Sequence, residues 1–221
     1  MSVIRKHITT IVLLIVVVIS GVYAYRYHQG QKQDIVYREH LDDVAAVVNG
    51  NELTFRDLAF YVAYEEQQVE KQAVIYDPER PDKYWNVHTN GEFIRVTARK
   101  NAMSMAIHDE IFYEMALKES ITLSDDEKKS LENSQSDFWS DLLDVDGAAK
   151  LGVTQDEINA AMEKAAIAQK YQEIYAQLNN ADTSDYDFSS GRYKELLEEN
   201  KYQIKEKMWN RVGMGNVTLD H

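Results

Sequence analysis

The sequence predicts a mainly α protein: an apolar N-terminal helix, then a helical body of about five helices whose start and end pair as a small two-stranded sheet. Three observations carry this prediction. Only two prolines and nine glycines occur in 221 residues, so long helices are permitted almost everywhere. Apolar residues recur at helical spacing behind Thr54, Ser124 and Thr154, each followed three residues later by an acid, as in a capping box. One short β-branched and alanine run, Val44–Val48, ends in Asn49-Gly50, the dipeptide that most readily turns a strand back on itself.

The chain opens with a basic head, Met1–His7, and an apolar stretch, Ile8–Tyr25, unbroken by charge. As a helix those residues would rise ~27 Å, close to the hydrocarbon thickness of a bilayer. Residues 1–25 are read either as a membrane anchor or as a signal peptide cleaved after Ala24, where Val22-Tyr23-Ala24 satisfies the small-residue rule. Both readings place the bulk of the chain outside the cytoplasm. Residues 26–43 are polar and read as a stem, and the helical body is expected over 44–219.

Within the body, Val44–Val48 is a strand and Thr54, with Asp57, caps the first helix, expected from Phe55 to Ala73. Tyr76–Gly91 holds both prolines and ends in Asn90-Gly91, so it reads as a long loop. It carries Tyr76, Tyr84 and Trp85, rings that either fold back on the core or form a peptide-contact surface. A central helix follows, from about Glu92 to Ser120, with Phe93, Val96, Met103, Ile107, Ile111 and Met115 on one face. Ser124 with Glu127 opens a helix that runs to about Asp144 and carries Leu131, Phe138 and Leu142. Phe138 and Trp139 are adjacent, so both cannot face one core line. Thr154 with Glu157 opens the next helix, and Asn179–Gly191 is a polar, acidic linker. Ser190 caps a last helix carrying Tyr193, Leu197, Ile204 and Met208. Met214–Leu219 is the expected partner strand for Val44–Val48.

Composition excludes several classes of function. The chain has no cysteine, hence no disulfide framework, thiolate metal site or cysteine nucleophile. Beyond the apolar stretch, 22 basic residues face 37 acidic ones, a balance of −15. Such acidity opposes nucleic-acid binding and keeps the body off anionic lipid. The six histidines show no metal-ligand spacing, and Asp182, Asp185 and Asp187 do not have the spacing of an EF-hand. No P-loop, dinucleotide fingerprint or nucleophile elbow is present. No catalytic residue, metal or cofactor is expected.

Three segments in this order, VAAVVNGNELTFRDL, KESITLSDDEKKSL and LGVTQDEINAAMEKAAIAQKYQEIY, resemble the N-terminal chaperone domain of the SurA, PrsA and PpiD family of bacterial extracytoplasmic folding factors. The resemblance covers roughly residues 44–175. In the family, a parvulin-type prolyl isomerase domain of about 90 to 100 residues follows the Gly-Val-Thr helix; here the 13-residue linker Asn179–Gly191 stands in its place. The resemblance therefore implies a holdase without isomerase activity, anchored in the bacterial cytoplasmic membrane through residues 8–25 with the body outside, or secreted after cleavage. Its clients would be unfolded or extended polypeptides, and Tyr84, Trp85, Phe138 and Trp139 are the expected contact residues. The alternative is a structural or adaptor protein of the secretion or envelope machinery that uses the same fold to hold one dedicated partner.

Overall fold

A computed structural model describes residues 34–220. The predicted span and the first part of the stem lie outside them. The described chain is mainly helical with small antiparallel sheets. Among the described residues no helix is long and apolar enough to cross a membrane.

The first sheet is built around the predicted hairpin. Strand β1 is Val44–Val48 and β2 is Asn51–Thr54. Asn49 and Gly50 between them have φ of 52° and 101°, the positive pair that a tight two-residue hairpin requires. The register runs Val48 to Asn51, Val47 to Glu52 and Ala46 to Leu53, then slips before Val44.

Thr54 ends β2 and begins α1 (Phe55–Tyr76); its backbone N–H donates to Asp57, and Asp57 returns its own N–H to the Thr54 hydroxyl. The loop after α1 is more ordered than expected. Pro81–Asn86 forms a 3-10 helix, and β3 (His88–Thr89) pairs with β4 (Glu92–Phe93) around Asn90-Gly91.

Helix α2 (Ile94–Lys118) is the central element, as its apolar circumference predicts, and packs on both α1 and α5. Ala98, Ala102 and Ala106 are buried along it at intervals of four. Their small side chains let neighbouring helices approach closely. Helix α1 runs antiparallel to α2, since Tyr61 reaches Asp109 while Glu65, a turn further on, reaches Asn101.

Helices α3 (Asp125–Asp144) and α5 (Gln155–Leu178) both start at the predicted capping boxes. Between them lies a short helix not foreseen from the sequence, α4 (Gly147–Leu151). A 3-10 turn, Thr183–Tyr186, and α6 (Gly191–Glu198), capped by Ser190, follow. Then come β5 (Tyr202–Ile204) and α7 (Glu206–Trp209).

The end of the chain departs from expectation. The last long helix stops at Glu198 instead of carrying Ile204 and Met208. Three acids in α6 and the residue after it, Glu195, Glu198 and Glu199, oppose the helix dipole there. Asn200 then takes the Leu196 carbonyl with its side chain, at 2.8 Å. The freed residues Tyr202–Ile204 pair antiparallel with β1, giving a three-stranded sheet in the order β2-β1-β5. Met214–Leu219, the expected partner, forms no strand. Its amides are claimed by a side chain of α1.

The packed body begins before Val44. The Tyr37 hydroxyl donates to the Phe55 carbonyl at 2.6 Å, and the Ile35 N–H donates to the Arg211 carbonyl at 2.9 Å. The described end of the stem therefore belongs to the core.

Candidate binding cleft

Helix starts and small residues together leave a cleft between β2, α1, α2 and α5. Its apolar lining is Leu53, Leu58, Ala106, Ala160 and Ala161, with Ala160 exposed. Alanines at these three positions are what keep it open, since larger side chains would fill it. Its volume is about 270 Å³. That falls just short of the ~300–1,000 Å³ typical of small-molecule sites, and it suits one large apolar side chain better than a cofactor.

Charge lines the mouth, and each charge there is partnered. Both Asp57 and Glu157 are third residues of capping boxes, so the N-termini of α1 and α5 meet at the rim. Arg56 bridges Glu157 at 2.6 Å and Asp42 at 2.7 Å. The Thr154 backbone N–H, then its hydroxyl and Arg56, hold the Glu157 carboxyl below the usual range. The Asp42 and Glu157 carboxylates push the Arg56 guanidinium above its ordinary value. Lys164 pairs with the buried Glu110 and lies 5.4 Å from the centre of the Tyr113 ring, a cation–π contact. Glu110 also accepts from Asn51 at 2.9 Å, tying the hairpin to α2.

A polar chain runs inward from the cleft. The Tyr61 hydroxyl donates to Asp109 Oδ2 at 3.0 Å. Asp109 Oδ1 lies 2.8 Å from His108 Nδ1, and His108 Nε2 lies 3.0 Å from the Tyr186 carbonyl. Burial pushes the Tyr61 hydroxyl well above its ordinary range, with Asp109 adding to the shift. Both nitrogens of His108 are thus occupied within the core, packed against Phe112 and Tyr193. Among the described residues no group of three or more acidic or histidine side chains is placed to hold a metal. The arrangement can seat an apolar group under a rim of charged side chains that are hydrogen-bonded or ion-paired.

The sequence-predicted contact residues fall in two places. Trp85 is 1% exposed, packed beneath Gly215, with its indole N–H donating to Glu70 at 3.3 Å. Tyr84 is half-buried beside Tyr76 and donates to Gln72. Phe138 is buried against Phe60, ring centres 5.2 Å apart, while its neighbour Trp139 stays half-buried. Glu70 and Gln72 are ten or more residues along α1 from Phe60, roughly 15 Å at 1.5 Å per residue, so the two pairs do not form one surface. The apolar side chains left most open near this loop are Ile75 and Tyr76, at the end of α1.

Sequence reasoning missed Arg56, Ala160, Ala161 and Lys164, because the cleft exists only where three distant segments meet. It also missed Glu66, which is fully buried. A signal was present there: Leu58, Val62, Glu66 and Ala73 continue one helical stripe, and an acid on an apolar stripe marks a carboxylate with partners inside. No protein-family model, curated protein or solved structure matches this chain.

Proposed function

We propose that the protein is a holdase that binds unfolded or extended polypeptides outside the cytoplasm, held at the bacterial cytoplasmic membrane through residues 8–25, and that it has no isomerase activity. The cleft between β2, α1, α2 and α5 is the observation that carries this reading. An apolar seat of one-side-chain size, with its rim charges already paired, accepts many apolar residues without demanding a particular sequence. It needs no nucleotide and no metal. The surplus of acid over base adds a long-range attraction for basic unfolded segments, weakening as salt rises. The test is suppression of aggregation of a reduced client by the full chain, compared with Ala161→Phe, which fills the seat. The reading expects suppression near stoichiometry by the wild type and its loss in the variant. Absence of suppression at tenfold excess would count against it.

A second reading is favoured by one observation. Trp85 and Phe138 are buried, so less aromatic surface is open than a general holdase would use. On that reading the cleft holds one dedicated partner of the secretion or envelope machinery. It expects a silent client assay together with tight, A161F-sensitive binding of a single membrane component.

A further inference from the structure

The last part of the chain is held in an unusual way. Residues 212–218 form neither helix nor strand. Three of their N–H groups make local backbone bonds: Val212 to the Trp209 carbonyl, Met214 to the Val212 carbonyl and Asn216 to the Gly213 carbonyl. The donors of Gly215, Val217 and Thr218 converge on one side chain of α1. The N–H groups of Gly215 and Val217 donate to Glu66 Oε1 at 2.6 and 3.1 Å; the N–H and hydroxyl of Thr218 donate to Glu66 Oε2 at 2.7 and 2.5 Å. Val212, Met214 and Val217 are buried beside them. Arg99 donates to the Val212 carbonyl and Lys150 to that of Thr218, so the segment is pinned at each end. Gly215, at φ +94°, lies flat on Trp85; a Cβ there would come within 2.6 Å of the indole.

We propose that residues 212–218 are a strap that opens as a unit about Glu66, uncovering Trp85 and the Glu66 carboxylate as a second seat for an unfolded peptide that turns at the carboxylate. Four bonds end on one carboxylate, so displacing that side chain breaks them together. Opening loses them but restores water to a buried charge, which offsets part of the loss. What the strap itself presents describes the ligand: a chain in a turn whose main-chain N–H groups converge on the carboxylate while its apolar side chains fill the space beside Trp85. The choice of a peptide as occupant rests on the client-binding reading above; the opening of the strap does not.

Hydrogen exchange on the full chain tests the opening. In Glu66→Gln the side chain offers one acceptor and turns an amide group toward the donors. The amides of Gly215, Val217 and Thr218 should then exchange at least tenfold faster, while those of α1, α2 and α5 keep their wild-type rates. Equal loss of protection in those helices, or no change in the strap, would overturn the proposal.

The seat is tested with Gly215→Ala, which pries the strap off Trp85 and leaves Glu66 in place. A labelled peptide copying residues 211–220 should bind G215A at least tenfold tighter than wild type, and adding E66Q should abolish that gain. Equal binding to wild type and G215A would overturn the seat. Adding A161F should leave this binding unchanged, which separates the strap from the cleft.

Discussion

Carboxylates of opposite tuning define the residue scale. Glu127, at the start of α3, is lowered to about 2 by the Lys170 ammonium, with Ser124 assisting from the cap. A carboxyl depressed in the fold contributes stability above its unfolded value, and that share is lost as pH falls from about 4.5 toward 2. Glu66 is shifted upward, because burial outweighs the donors around it. Glu65 is also raised by burial, against the Asn101 amide. Their ionisation is disfavoured by the fold, so their share is complete below the unfolded value and declines as pH rises through the raised one. Denaturant unfolding between pH 2 and 7 should therefore show a shallower acid limb in Glu127→Gln than in wild type, and a flatter rise-side decline in Glu65→Gln. Trp85→Ala should cost roughly 3–5 kcal/mol, the range for deleting a buried large ring, measured by the same unfolding. Trp139→Ala, at a half-buried position, should cost clearly less.

At the scale of elements, what could be read from the sequence was what is decided locally. Asn49-Gly50 turns β1 into β2, and Thr54, Ser124, Thr154 and Ser190 start the helices assigned to them, because a cap or a turn needs only its own few residues. Removing such a signal should have a local cost. Thr154→Ala should lower stability by about 1 kcal/mol and also loosen the Arg56–Glu157 pair, since Thr154 fixes the Glu157 carboxylate; α5 exchange near Gln155 reports both. The third strand was not legible. Tyr202–Ile204 and Met214–Leu219 carry similar short apolar patterns; the first pairs with β1, while amides of the second go to Glu66, about 150 positions away in sequence. The same reason hid α4: the end of α3 and the start of α5 leave Gly147–Leu151 no signal of its own, and Gly147 is placed by contacts with Leu142 and Thr218.

For the whole molecule, the central helix was visible from its circumference and the cleft was not. α2 carries apolar residues around much of its circumference and packs on both α1 and α5. The cleft depends on the junction of β2 with α1 and on three alanines from two helices, positions that carry no pattern until the fold brings them together. The contact residues expected from the sequence were chosen for aromatic character, and aromatic character in this chain is spent largely on the core, at Trp85, Phe138, Tyr186 and Tyr193. On the proposed function, an apolar side chain of a peptide enters the cleft. The most direct measurement is the anisotropy of a panel of labelled peptides, varying one central residue from Gly through Leu to Phe, titrated with the full chain and with A161F. The expected result is micromolar binding that strengthens from Gly to Phe and falls at least tenfold in A161F, whose unfolding midpoint stays within a few degrees of wild type. Binding that ignores the central residue, or that survives in A161F, would contradict it.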